Sequence, residues 1–259
     1  MPEAATAALP DADPYSVIPG YYDLFRAVEG EHALPSVAFF ASLAPVGGSA
    51  LELGAGTGRI TLAVAERAAT VCCLERSPTM RAVLLAKLAQ RPALWDRVTV
   101  LPGSAPFFRL DRRFDYIYLA GVLEHIPPAD RAKLFATIAE HLVPGGTAAM
   151  DMVLTEPAPD MPERELTEVR LGECRYVHSM RANRIGPDLS RLHITYRTFH
   201  QGELIATEAV TRFHHMHRPG PVLADLAVAG LVPAEGPVPM IEIKHVDDPG
   251  FVVVSKDAA

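Results

Sequence analysis

The stretch that most constrains the fold is Ala50-Leu51-Glu52-Leu53-Gly54-Ala55-Gly56-Thr57-Gly58-Arg59. It reads as a buried strand, a glycine turn and the first residues of a helix. Glycine has no Cβ, so such a turn lets bare backbone approach a ligand closely. The first N–H groups of the following helix have no partner inside the helix and are available to an anionic group. A dinucleotide-binding turn requires Gly-x-Gly-x-x-Gly, which would place a third glycine at position 59. That position is Arg59, and the third glycine is instead Gly58. The spacing therefore disfavours a nicotinamide cofactor.

The residues beyond the turn continue a βαβ unit. Ile60, Ala63, Val64 and Ala68 form one apolar helical face, interrupted by Arg67. Thr70 to Leu74 reads as a second strand ending on Glu75, 21 residues after Gly54. An acid at about that distance accepts hydrogen bonds from ribose hydroxyls in a βαβ nucleotide site. Ser77-Pro78 reads as an N-cap followed by proline at the first helical position. Met80, Leu84 and Leu88 then recur at helical spacing. Val98–Leu101 and Phe114–Ala120 read as third and fourth strands, Ala129–Leu142 as a helix, and Thr147–Val153 as a fifth strand after the stop Val143-Pro144-Gly145-Gly146. Alternating strands and helices over residues 49–153 predict a doubly wound, mostly parallel α/β sheet.

The flanks differ. Residues 1 to about 20 are rich in Ala, Pro and Asp and read as loose, while Leu34–Leu43 has a helical apolar pattern. Residues 154–170 read as loop, with Pro157, Pro159 and Pro162. Leu192–Phe199 and Glu203–His214 read as a hairpin around His200-Gln201-Gly202. A last helix runs from Gly220 to Ala229, and Phe251–Ser255 reads as the final strand.

Composition narrows the function classes. The chain has 259 residues, 49% of them hydrophobic, enough for one large core. No apolar run is long enough for a membrane helix, and Met1-Pro2-Glu3-Ala4 does not open a signal peptide. A formal charge of −7 without a basic tract argues against a nucleic-acid partner. Cys72, Cys73 and Cys174 lack a paired spacing, which predicts a reduced, cytoplasmic protein without a disulfide framework. Monomer and homodimer are both open.

The glycine turn with Glu52 before it, the acid Glu75, Leu123-Glu124-His125 after the fourth strand and the Pro144-Gly145-Gly146 turn together resemble class I S-adenosylmethionine (SAM) dependent methyltransferases of the small-molecule branch. The resemblance implies a seven-stranded sheet, an N-terminal helical lid over residues 1–45, a SAM-binding core over 46–153, an antiparallel β cap over 154–218 inserted after strand five, and a C-terminal return to the core over 219–259. It implies SAM as cofactor, with contacts from Tyr22, Glu52, Gly54, Ala55, Gly56, Glu75, Arg76, Ser104, Ala105 and Ala120. Ser104 stands where the family often carries an aspartate that meets the adenine amino group. Tyr22 belongs to a Tyr-Asp-Leu stretch that in similar enzymes lies over SAM.

Ligands of open α/β sheets sit beyond the carboxyl ends of the strands. The loop after the fourth strand therefore faces cofactor and acceptor. His125, with an unperturbed pKa near neutrality, is the expected general base, and Glu124 the expected substrate ligand. His193, Tyr196, His200 and His214 of the cap are expected acceptor contacts as a group. No metal-ligand spacing is present, and no metal is expected. Arg59 is placed to reach the SAM carboxylate or an acidic acceptor. The expected reaction moves the sulfonium methyl to an O, N or C nucleophile of a small molecule, of the kind made in secondary metabolism. A non-methylating SAM enzyme of the same fold, and a non-catalytic SAM-binding module, are the competing readings.

Overall fold

The structure, a computed structural model, describes residues 13, 15–28, 34–152, 159–234 and 250–257. Seven strands form one sheet in the order β10-β11-β5-β4-β1-β2-β3. These are β1 (Ser49–Leu53), β2 (Thr70–Glu75), β3 (Val98–Pro102), β4 (Phe114–Leu119), β5 (Leu142–Met152), β10 (Leu231–Pro233) and β11 (Gly250–Lys256). β1 to β5 pair in parallel, while β11 runs antiparallel to β5 and to β10. The expected mostly parallel seven-stranded sheet is present. β1 lies between β2 and β4, so the chain winds outward in one direction from β1 and returns through β4 in the other. That reversal is the switch point at which doubly wound sheets bind ligands.

Strand periodicity sorts the core into two layers. Leu51, Leu53, Cys72, Ile117 and Leu119 face helices α5 (Pro128–His141) and α6 (Pro219–Val228), together with Phe135, Ile138 and Leu226. Ala50, Cys73, Tyr116 and Tyr118 face α2 (Leu34–Ser42), α3 (Arg59–Ala65) and α4 (Pro78–Ala89), together with Phe40, Val64 and Leu84. The adjacent cysteines thus point into opposite layers. Each Leu, Ile, Val or Phe side chain among them, once buried, contributes roughly 1.5–3 kcal/mol. The Ser77 hydroxyl accepts from the Met80 N–H at 3.2 Å, so the expected N-cap is in place. α3 ends at Ala65, and Arg67 therefore lies beyond the helix whose stripe it was expected to interrupt.

Three expectations are corrected. The cap is a four-stranded antiparallel sheet, β6-β7-β8-β9, and not a lone hairpin. Its strands are β6 (Met161–Leu171), β7 (Cys174–Gly186), β8 (Leu189–His200) and β9 (Glu203–His215). Of the stretch expected to be loop, residues 161–170 are strand. β6 is an edge strand and mostly exposed, so it carries charges in place of an apolar alternation, and its edge position tolerates Pro162. Val153 and Pro157 fall outside the described residues. Second, Gly145 and Gly146 lie inside β5, at a register shift against β4 between Phe114 and Tyr116. Third, part of the N-terminal stretch read as loose is packed. Residues 15–17 form a turn before α1 (Pro19–Val28), and Ile18 is fully buried.

That N-terminal segment straps the core to the cap. Asp13 accepts from the Ser77 hydroxyl at 2.6 Å, and the Tyr15 carbonyl accepts from Thr79 at 3.2 Å. Asp23 on α1 accepts from the Thr57 hydroxyl in the glycine turn at 2.6 Å and pairs with Lys87 at 2.7 Å. Tyr21 stacks on Tyr196 of the cap, with ring centroids 5.0 Å apart, and donates to Glu208. At the cap's other end, Arg131 pairs with Asp225 at 2.7 Å and reaches His217, whose Nε2 bonds the Ile126 carbonyl at 3.1 Å. This cluster ties the loop after β4 to α5, α6 and the exit of the cap.

Candidate active site

The glycine turn and the loop after β4 lie side by side because β1 and β4 are neighbours. Gly54 and Ala55 both donate to the Leu74 carbonyl, at 2.8 and 3.2 Å, which pins the turn to the end of β2. All three glycines have positive φ, 76° at Gly54, 56° at Gly56 and 82° at Gly58. Their surroundings differ. A Cβ on Gly54 would stand 2.5 Å from Val122, and one on Gly58 would stand 2.2 Å from Leu84. A Cβ on Gly56 would meet nothing within 4 Å. The first and third glycines thus serve packing, and the middle one opens to the ligand side.

Glu75 closes this cradle. Its carboxylate accepts from the Gly56 N–H at 2.8 Å and from the Ser77 N–H at 2.7 Å. Burial raises its pKa, and the two N–H groups oppose that rise. The acid therefore shapes the turn as well as facing the place where a ribose is expected. Glu75→Ala should weaken SAM binding roughly tenfold to hundredfold, since a hydrogen bond to a charged group contributes roughly 1.5–3 kcal/mol. Calorimetric titration with SAM checks this; unchanged affinity would remove Glu75 from the site.

Glu52 is placed differently from the other expected cofactor contacts. It points into the α3 layer, where it accepts from the Thr61 hydroxyl and lies 3.9 Å from the Cys73 sulfur. Burial pushes its pKa up to about 7. The unfolded chain loses this proton at about 4.5, whereas the folded protein keeps it to about 7. The folded state binds more protons in that window, so stability falls as pH rises through it. Glu52→Gln stays neutral and should gain stability relative to wild type across pH 4.5–7, by roughly 3 kcal/mol in total. Urea unfolding at a series of pH values reads the difference; a constant offset across the window would overturn it.

Ala55 is buried in the turn, and Ala120 is half-buried at the exit of β4. Ser104 and Ala105 are half-buried just beyond β3, and the Arg76 side chain is exposed after β2. Tyr22 sits on α1 with the Arg26 guanidinium 5.6 Å from its ring centre.

The acceptor side is built from the β4 loop, the strap and β9. Leu123–His125 form one short 3-10 turn. The Tyr15 hydroxyl lies 3.0 Å from His125 Nε2. A hydrogen bond with the Phe213 backbone favours the protonated ring. Burial, and then the Arg212 guanidinium, lower the His125 pKa to about 4, so the imidazole is neutral at physiological pH. His214 packs edge-on against His125 with centroids 5.0 Å apart, and burial lowers its pKa to about 3. Arg212 stands 4.3 Å from the Tyr15 ring centre. Glu124 is buried, as is Asp151 at the end of β5, which accepts from the Gly121 N–H at 2.8 Å. Burial raises both carboxyl pKa values, and the charge of Asp151 raises that of Glu124 further.

Of the expected cap contacts, His214 reaches this chamber. Tyr196 is buried on the cap's inner face between Tyr21 and His178. His193 bonds Thr211 at 2.9 Å on the opposite face, and His200 bonds Glu173 at 3.0 Å at the hairpin tip. Tyr15, Asp151 and Arg212 were not among the expected residues. A period-two row on β9, Glu208-Val210-Arg212-His214, is the signal that points to Arg212. Tyr15 and Asp151 carry no local signal.

Comparison with known proteins agrees with this fold. Residues 50–146 match the family model described as a methyltransferase domain. No curated protein matches the chain. Among solved structures, it is similar to the sugar N-methyltransferase KedS8 from Streptoalloteichus sp. ATCC 53650, at 23% identity over 99% of both chains and a TM-score of 0.73. It is similar to the CcbJ methyltransferase from Streptomyces caelestis, at 20% identity over 95% of this chain and 98% of that one, with a TM-score of 0.72. It is also similar to the glycopeptide N-methyltransferase MtfA complexed with SAM, at 28% identity over 86% and 93% of the two chains and a TM-score of 0.53. The fold is that of class I SAM-dependent methyltransferases. Residues 50–146 form a methyltransferase domain.

Proposed function

We propose that this enzyme methylates an O, N or C nucleophile of a small molecule in the chamber between the β4 loop and the cap. SAM supplies an activated methyl on a sulfonium. The protein's part is to orient the acceptor, exclude water and take up a proton where the acceptor must lose one. The observation that carries the reading is the neutral His125, whose Nε2 lies 3.0 Å from the Tyr15 hydroxyl beside the switch-point cradle. Tyr15 and His125 position the acceptor, and His125 is the base. Gly54, Ala55, Gly56 and Glu75 hold the cofactor, with Ser104, Ala105, Ala120, Arg76 and Tyr22 around it.

Relatives described as a sugar N-methyltransferase and as an aminopentose methyltransferase of calicheamicin biosynthesis support a small-molecule acceptor from secondary metabolism. The net charge of −7 supports an acceptor other than nucleic acid. No described helix is long and apolar enough to cross a membrane. We read the enzyme as cytoplasmic and as a monomer or homodimer. The test is product analysis. Purified protein is incubated with SAM and a panel of amino sugars, amines, phenols and amino acids, and mass spectrometry follows cofactor and acceptor. S-adenosylhomocysteine with a methylated acceptor is expected. Methylthioadenosine would point instead to intramolecular displacement and overturn the reading.

A further inference from the structure

Three side chains in the acceptor chamber converge with their hydrogen-bonding atoms turned toward one another. One ligand atom each from Glu124, His125 and His214 lies within 4.8 Å of the other two. Glu124 is only 8% exposed, yet its Oε2 has no hydrogen-bond partner among the described residues, and neither has His214 Nε2. Buried polar atoms without partners are rare in folded proteins, because each costs the free energy of a lost hydrogen bond. Two in one cluster point to a ligand that supplies donors.

We propose that Glu124, His125 and His214 form a tripod that binds the ammonium of a primary-amine acceptor. The inference rests on the methyltransferase reading of the same chamber and narrows its acceptor class. A primary ammonium has three N–H donors in tetrahedral array. With charge-assisted bonds of about 2.8 Å, its three acceptors stand about 4.6 Å apart. A tetrahedral divalent metal, with bonds of about 2.1 Å to nitrogen and oxygen, draws its ligands to about 3.4 Å. Ligand atoms that all lie within 4.8 Å of one another accommodate the ammonium, and the zinc arm of the titration below tests the metal.

The surroundings fit a cation bound through acceptors. Both imidazoles are neutral and so have a nitrogen lone pair to offer. Asp151 adds a second buried carboxyl beside Glu124. Burial and then the charge of Asp151 push the Glu124 pKa up to about 8, Arg212 opposes that rise, and Arg212 also disfavours protonation of both histidines. The Tyr15 hydroxyl, 3.0 Å from His125 Nε2, occupies the place of one substrate N–H, which displaces it. Within the tripod, one N–H bond of R–NH3+ breaks and an N–H bond forms on the neutral imidazole of His125, the base assigned above. The electron pair stays on nitrogen, and the amine becomes a nucleophile held by its remaining N–H groups. A hydroxyl acceptor of the same skeleton has one donor, would satisfy one of the three atoms, and is bound far less well.

The test uses the full-length protein labelled with 15N at histidine. Imidazole nitrogen shifts are followed by NMR during titration with methylammonium chloride, and separately with tetramethylammonium chloride, methanol and zinc chloride. Methylammonium should shift the signals of His125 and His214 saturably, while tetramethylammonium, of equal charge but without N–H donors, and methanol should not. Glu124→Gln should weaken methylammonium binding tenfold or more. Its SAM affinity, measured by calorimetry, should stay within about twofold of wild type, which also reports that the variant is folded. Equal responses to the two ammonium ions, or no saturable response to methylammonium, would overturn the proposal. So would tight zinc binding that methylammonium cannot displace, which would make the cluster a metal site. Failure of the wild-type protein to bind SAM would instead overturn the methyltransferase reading.

Discussion

Gly56→Val is expected to abolish measurable SAM binding while leaving a folded protein. Gly56 has φ 56°, and a Cβ there meets nothing within 4 Å. A side chain therefore fits the protein but fills the space that the backbone leaves for the cofactor. The left-handed conformation adds a stability cost of roughly 1–2 kcal/mol for a non-glycine residue, and more for a β-branched one. Gly58→Ala serves as the contrast. It carries the same conformational cost at φ 82° and sets its Cβ 2.2 Å from Leu84. That variant should lose stability through overpacking, by roughly a further 1–3 kcal/mol. Circular dichroism melting and calorimetric SAM titration separate the two outcomes. A Gly56→Val protein that folds and binds SAM with wild-type affinity would show that the turn does not hold the cofactor.

His125→Ala is expected to lower turnover by roughly a hundredfold to ten-thousandfold with little change in SAM affinity. That is the usual range for a positioned general base. The loss belongs mainly in kcat if His125 removes a proton, and in acceptor KM if it only orients. The pH profile distinguishes this histidine from an ordinary one. Its pKa is lowered to about 4, so the ring keeps a nitrogen lone pair throughout the neutral range. Activity dependent on His125 should persist as pH falls through 6.5 and decline only toward about pH 4. A limb with its midpoint near 6.5 would mean that the imidazole is more solvated than the packed chamber implies. Tyr15→Phe gives the companion measurement, since it removes the hydroxyl bonded to Nε2 but leaves the ring under Arg212.

The sequence by itself determined the βαβ core. Gly54, Gly56 and Gly58 demand positive φ, the apolar runs of β1 and β2 are short enough only for buried strands, and Ser77-Pro78 marks a helix start. These are local properties, set by backbone sterics and by the period of side-chain directions. Glu75 was legible for the same reason, since its distance from the turn is that of one helix and one strand. β6 and β7 were not legible, because an exposed edge strand and its neighbour need no apolar alternation. The chamber was legible only in part. His125 and Glu124 announced themselves by lying after β4, and His214 stood among several cap histidines of equal merit. Only the tertiary structure separated His214 from His193 and His200. Side chains two residues apart share a strand face, and the packing of the cap on the core decides which face is inward. The same packing turned Glu52 into the α3 layer and brought Tyr15, Asp151 and Arg212 to the loop after β4 from three distant parts of the chain. Convergence of that kind depends on how layers dock, and no spacing within one segment encodes it.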